Sequence, residues 1–167
     1  VMSLKTRFGN LGNILDFDNL IEENIYVLDS PILTNSQFKK FKKFFSTKVK
    51  VIDCTFDIKS TLKDRIEAIR EETETAVREG STTLILSDKN ISNQKASIPS
   101  ILTVGAVHSH LVKNGLRGYC SLNVECSDAL DTHSFAVLIG VGATTVNPYL
   151  AIDSIYQRFE KKLFGKS

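Results

Sequence analysis

The residues of this chain whose types could do chemistry gather in one stretch. IPSILTVGAVHSHLVKNGLRGYCSLNVEC, positions 98–126, holds His108, His110, Cys120, Glu125 and Cys126, all of them metal-ligand types. Their spacing argues against a metal centre. His108 and His110 lie two apart in a stretch with a helical pattern, and at about 100° per residue their side chains diverge by about 200°. A regular helix cannot turn both toward one ion. Cys120, Cys126 and His133 supply no structural-zinc spacing either. His108 shares a stripe with Ile98, Ile101, Gly105 and Val112, which reads as a helix-packing histidine with its ring nitrogens bonded to neighbours. The three cysteines, Cys54, Cys120 and Cys126, are odd in number and form no CxxC, the pattern of reduced, buried thiols.

Other motifs are weaker. GVGATT, 140–145, has the glycines of a phosphate-cradling loop, but a P-loop needs a longer glycine frame with Lys-Ser or Lys-Thr after it. A dinucleotide fold needs its glycines between a strand and a helix. Here they fall between a helix and a strand, so the stretch reads as a helix C-cap packed on a sheet. No GxSxG is present, and neither Ser87 nor Ser121 has a histidine placed by motif. EAIREETETAVREG pairs opposite charges three and four apart, a solvated helix face.

The elements that must position these residues alternate between short β-rich runs and longer amphipathic ones. NIYVL (24–28) and PILT (31–34) read as extended. Ser36 is the expected cap of SQFKKFKKFF, where Phe38, Phe41, Phe44 and Phe45 recur at helical spacing. VKVIDCTF (49–56) reads as one strand, followed by a helix with Ile66, Ile69, Thr73 and Val77 on one stripe and Gly80 as its stop. TTLILSD is a buried strand and KNISNQKAS a loop. Pro99 then opens a helix that runs to Asn114 and ends at Gly115. GYCSLNVE is a strand, Asp131 or Thr132 caps a helix ended by Gly140 and Gly142, TTVNP is a short strand, and YLAIDSIYQRFEKKLF a last helix. This order predicts an α/β domain: a mostly parallel sheet of about five strand–helix units, an open sheet or a partial, TIM-barrel-like one. Ligands in such folds bind at the carboxyl ends of the strands. Asp53, Thr55, Asp57, Ser87, Asp88, Asn123, Glu125 and Asn147 are therefore the polar residues of interest.

Composition bounds the rest. At 167 residues and 42% hydrophobic, one domain over 1–167 is expected, with 1–23 as an extended lead-in and 24–167 as the body. A net charge of +2 gives no field to gather a polyanion, so nucleic acid is not an expected partner. No apolar run approaches the roughly 20 residues that span a bilayer, and VMSLKTRFGN lacks a signal-peptide core; the expectation is a cytoplasmic protein with no membrane partner. Val1 ahead of Met2, and an end FEKKLFGKS without a closing signal, read as a piece of something longer.

Several segments carry a resemblance. VMSLKTRFGNLGNIL, LDSPILTNSQF, TTLILSDKNI, IPSILTVGAVHSHLVKNGLRGYCSLNVE and HSFAVLIGVGATTVNPYLAIDSI resemble, in that order, the central domain of the glutamate synthase large subunit. LSD before an IP-initiated helix, AVHxHL, GLR and a GxGAxxVNPYLA run are jointly specific. The resemblance implies an enzyme that makes two glutamates from glutamine and 2-oxoglutarate with two electrons. An amidotransferase domain with a cysteine nucleophile releases ammonia, and an FMN barrel with an iron–sulfur cluster reduces the iminoglutarate. The central domain, a rudimentary relative of that barrel which binds no FMN itself, joins the two. The resemblance further implies that the cysteine nucleophile, the cluster ligands and the FMN contacts lie outside this span, so Cys54, Cys120 and Cys126 match none of them. This chain departs from the family pattern at Lys89, at Ser109 and at Ser127, Asp128, Ala129 and Leu130.

Two functions follow as expectations. The first is a non-catalytic interdomain module whose start touches the neighbouring amidotransferase and FMN-binding domains, with Ser3, Thr6 and Asn10 as polar candidates along an ammonia route and no catalytic, cofactor or metal site of its own. The second is an independent barrel-type flavin or phosphate-ligand enzyme, using Asp53, Asp88, Glu125 and Asn147 with GVGATT on a phosphate.

Overall fold

The computed structural model describes residues 4–8 and 26–163. Strands β1 (Thr6–Phe8) and β2 (Tyr26–Leu28) pair antiparallel, Phe8 opposite Tyr26. Helix α1 (Asn35–Phe44) follows, and its cap is Thr34 rather than Ser36. The reason is the residue three positions on: Gln37 Oε1 accepts from the Thr34 backbone N–H at 2.9 Å while Thr34 Oγ1 accepts from Gln37 N at 3.3 Å. Three residues after Ser36 stands Lys39, which has no acceptor to complete such a box.

The run 49–56 is two strands, not one. β3 (Val49–Asp53) is parallel to its neighbour, but at Cys54 the chain turns, and β4 (Thr55–Asp57) pairs antiparallel with β6 (Lys95–Ser97) inside the expected loop. Asp53 makes the turn: its Oδ1 accepts from Thr55 N at 3.0 Å and Thr55 Oγ1 at 2.7 Å. Helix α2 (Leu62–Arg78), capped by Thr61, buries Ile69, Thr73, Ala76 and Val77 and stops at Gly80, whose φ of +96° suits glycine. β5 (Thr83–Ser87) is buried throughout. Helix α3 (Ser100–Lys113) ends at Gly115, a 3₁₀ turn spans Arg117–Tyr119, and β7 (Ser121–Glu125) follows. Asp131 caps α4 (Thr132–Val141), accepting from Ser134 N at 2.7 Å. β8 (Thr145–Asn147) and α5 (Tyr149–Glu160) complete the order.

The four long-range strands form a parallel sheet in the order β3-β5-β7-β8. Beyond β8 the segment at Ile32 makes a parallel bridge to Val146, with Leu33 N donating to Val146 O and Val146 N to Pro31 O, both at 2.9 Å. It is the stub of a fifth strand, so the described residues carry five strand–helix units in an α/β, partial-barrel arrangement. Alternation gives the sheet two unlike faces. Ile52, Leu84, Leu86, Leu122, Val124 and Val146 pack against α2, α3 and α4 in the main core. On the other face Ile85 joins Leu33, Phe38, Phe41, Phe8 and Leu28 in a second core.

Topology forces that second core. The stub lies beyond β8 and β3 is at the opposite edge, four strand spacings or about 19 Å away. A ten-residue helix about 15 Å long joins them, so α1 must cross the sheet. It crosses over Ile85 with Phe38 and Phe41 inward and Phe44 47% exposed. Truncating the fully buried Phe41 to alanine is expected to cost about 3–5 kcal/mol of unfolding free energy, and Phe44→Ala under about 1 kcal/mol, measured by urea denaturation.

Candidate functional site

The register sets Asp53 opposite Ser87, Ser87 opposite Glu125, and Glu125 opposite Asn147. One row of polar side chains therefore crosses the carboxyl ends of the strands, on the face that α1 covers. Glu125 is its centre. Only 3% exposed, its carboxylate accepts from Ser87 Oγ at 2.7 Å, faces Lys89 Nζ at 2.8 Å, and is reached by Lys42 Nζ of α1 at 3.2 Å. Burial by itself would raise the Glu125 pKa, but the hydrogen bonds from Lys89 and Ser87 and the charge of Lys42 outweigh it and hold the carboxyl below its ordinary 4.5. Each lysine also rests on a ring: Lys42 over Phe38 at 5.0 Å, and Lys89 over Tyr149 at 4.9 Å.

The rest of the row is likewise engaged. Asn147 Nδ2 donates to Leu33 O and to Asn35 Oδ1, both at 2.9 Å. Asp53 accepts from Asn90 at 3.1 Å as well as from Thr55. One step deeper, Thr145 donates to Asn123 Oδ1 at 2.7 Å and Asn123 to Leu84 O at 3.1 Å. Asp88, just past β5, turns to the other side: its Oδ2 accepts from Ser127 N at 2.8 Å and Ser127 Oγ at 2.6 Å. Its buried Oδ1 has no hydrogen-bond partner among the described residues. Burial, together with the Asp88 charge, pushes the nearby Tyr149 hydroxyl up to about 12.

The GVGATT loop does not join this row. Residues 140–144 precede β8 and lie at its amino end, while Asn147 closes the carboxyl end. The loop is held by Arg117, whose guanidinium donates to Gly142 O at 2.9 Å, to Cys120 O at 2.6 Å and, through Nε, to His108 Nδ1 at 3.2 Å. Burial lowers the Arg117 pKa. Gly142 has φ of +130°, and a Cβ there would overlap the His108 ring. His108 is thus a packing histidine against Arg117 and Gly142, but the stripe expected through it does not hold. Ile101 and Val112 are 47% and 55% exposed, and α3 buries Thr103, Val104, Ala106, Val107 and Leu111 instead. His110 faces elsewhere, its Nε2 2.7 Å from Glu74 Oε2. His133 lines a cleft of about 230 Å³ with Ser100, Asp128 and Val137. Among the described residues no three His, Cys, Asp or Glu are grouped to hold a metal. Cys54, Cys120 and Cys126 are buried and unpaired, and burial pushes the Cys54 and Cys126 thiols up to about 12. Of the ammonia-route candidates, Thr6 sits in β1 opposite Leu28 and its hydroxyl donates to Leu4 O at 3.3 Å; Ser3 and Asn10 lie outside the described residues.

Sequence reasoning missed Lys42, one of four lysines on a phenylalanine-striped helix with nothing local to mark it as the one turned inward. It also left Arg117 as a signature without a role.

The comparisons with known proteins bear on these same segments. The family model described as glutamate synthase central domain matches residues 1–167. The chain belongs to that family. This central domain is 49% identical over 168 residues to the large chain of an NADPH glutamate synthase from Azospirillum brasilense, covering 99% of this chain and 11% of the relative. A chloroplastic ferredoxin-dependent glutamate synthase from Spinacia oleracea is 37% identical over 163 residues, covering 94% and 10%. The NADPH glutamate synthase large chain of Bacillus subtilis is 36% identical over 167 residues, covering 96% and 10%. The chain thus spans about a tenth of the length of the curated relatives it matches. The signature segments of the central domain meet in space: Arg117 of GLR bonds His108 of AVHSHL and Gly142 of the GVGA run, while Asp88 and Lys89 after LS meet Tyr149 of VNPYLA.

Two outcomes test this geometry. Gly142→Ala is expected to destabilise by more than about 2 kcal/mol in urea melts, since it adds both strain at positive φ and overlap with His108. Glu125 has a depressed folded pKa, so its ionised form contributes stability fully above about pH 4.5, and that contribution disappears as pH falls through the lower folded value. The urea midpoint of the wild type should therefore fall more steeply than that of Glu125→Gln below pH 4.5; parallel profiles would show that the carboxylate is not stabilised.

Proposed function

We propose that residues 1–167 form a single structural and interdomain module of a glutamate synthase, placed between an amidotransferase domain and an FMN-binding domain of the same polypeptide and helping to enclose the path of ammonia. The enzyme would form two glutamates from glutamine and 2-oxoglutarate in glutamate biosynthesis, with FMN and an iron–sulfur cluster held by other domains. Ser3, Thr6 and Asn10 are the proposed polar residues along that path, and the cytoplasm is the proposed compartment; the Spinacia relative's name places that protein in the chloroplast. No helix among the described residues is long and apolar enough to cross a membrane.

One observation carries the reading. At the carboxyl end of the sheet, where a ligand would enter, the polar row is spent on itself: Glu125 is satisfied by Ser87, Lys42 and Lys89, and Asn147 by Leu33 and Asn35. Helix α1 fills the space in front of that row with phenylalanines. A barrel-type enzyme would need these groups turned toward a substrate. Its second requirement, a phosphate loop beside the row, is met poorly by GVGATT at the opposite strand end.

The purified 1–167 piece, given ammonia, 2-oxoglutarate and a reductant, is expected to yield no glutamate, and FMN fluorescence should stay unquenched on titration. Glutamate formation, or saturable quenching at micromolar protein, would replace the module with an independent enzyme.

A further inference from the structure

On the reading that this domain works inside a larger polypeptide, the geometry points to the outer face of α5 as the seat of an apolar surface supplied by another part of that same polypeptide. Among the described residues, the side-chain contacts that fasten α5 come from its first turns. Asn35 Nδ2 donates to Asp153 Oδ1 at 2.7 Å, and Tyr149 lies under Lys89. None of its residues is fully buried. Ile152, Ile155, Tyr156 and Phe159 fall at i, i+3, i+4 and i+7 and make one apolar stripe, the pattern of a helix with a core to face. Yet Ile155 and Tyr156 are each 59% exposed and Phe159 is 71% exposed, with Leu163 at 66% just past the helix end. A helix of 12 residues is at the length where isolated helices are marginal in water, so α5 needs tertiary packing to persist.

The occupant follows from size and tether. Two separate copies associating stably bury roughly 20–30 residues on each side, far more than this stripe supplies. A surface on the same chain is held near by its tether and needs much less area. The relatives leave ample chain to supply one, since this span accounts for 11% of the Azospirillum protein and 10% of the Bacillus protein. The rim specifies charge. Around the stripe, residues 154–163 carry Arg158, Lys161 and Lys162 against Glu160, so the complementary surface is apolar with an acidic border.

Hydrogen exchange on the complete polypeptide tests this. Amides 155–160 are expected to exchange at least about a hundredfold more slowly than an unstructured chain. Phe159→Asp should abolish that protection while the amides of β5 keep theirs, which separates lost docking from a failed fold. Unprotected amides in the wild type overturn the inference, as does protection that survives Phe159→Asp. Protection that fades on dilution overturns it in favour of a second copy. Glutamate formation from glutamine, 2-oxoglutarate and a reductant is assayed on the same sample. A polypeptide that makes no glutamate but protects α5 refutes the functional reading alone; one that makes glutamate with α5 unprotected refutes only the docking.

Discussion

The carboxylate of Glu125 is the constraint around which the rest of this domain is arranged. A buried charge costs several kcal/mol of desolvation unless it is met by close partners, and removing one partner of such a group typically costs about 3–5 kcal/mol. Here the partners come from three separate elements: Ser87 ends β5, Lys89 follows it, and Lys42 rides on α1. The last is the informative one. Helix α1 is reached from the strand stub at one edge of the sheet and must deliver the chain to β3 at the other, so its crossing could be taken at many heights. The demand of Glu125 for a second cation, together with the fit of Phe38 and Phe41 over Ile85, selects one.

The same crossing explains the asymmetry of the sheet. Its face packed against α2, α3 and α4 is aliphatic, as expected for parallel strands buried on both sides. The opposite face carries Ser87, Asn123, Glu125, Thr145 and Asn147, all buried, and tolerates them because each finds a partner on the sheet or on the chain that covers it. Polar groups that in an open barrel would face a ligand are here cross-linked to one another. What the family signature preserves in this chain is therefore a set of internal struts: Arg117 between α3, the turn before β7 and the turn before β8, and Tyr149 against Asp88 and Lys89.

Much of this was legible in the residues. The strand–helix alternation and the stops at Gly80, Gly115 and Gly142 rest on local rules of period and backbone freedom, and those rules hold in the fold. Gly140, by contrast, lies inside α4, and the stripe expected through His108 is not the buried one, since Ile101 and Val112 are exposed. The row Asp53, Ser87, Glu125 and Asn147 was found because strand ends are readable from where the β-branched runs stop. Less legible were features decided by competition or distance. Thr34 displaced Ser36 as cap because of Gln37 three residues later, a signal present in the sequence but outweighed by the start of the phenylalanine repeat. The break at Cys54 needed the Asp53–Thr55 turn and a pairing partner forty residues away, neither visible within a window on 49–56. Lys42 could be singled out only once α1 was known to cross the sheet.

The three cysteines have a consequence beyond being buried. Cys54 and Cys126, with pKa values of about 12, are ionised in only about one molecule in ten thousand at pH 8. Burial raises the Cys120 thiol as well, and it also denies reagents access to all three. Alkylation must then wait for the chain to open around each one. Cys54 leaves β3, Cys120 enters β7 and Cys126 leaves it, so the molecule carries native clocks at both ends of the sheet. Their labelling rates would report separately how often the amino and carboxyl ends of the strands breathe, without any added probe.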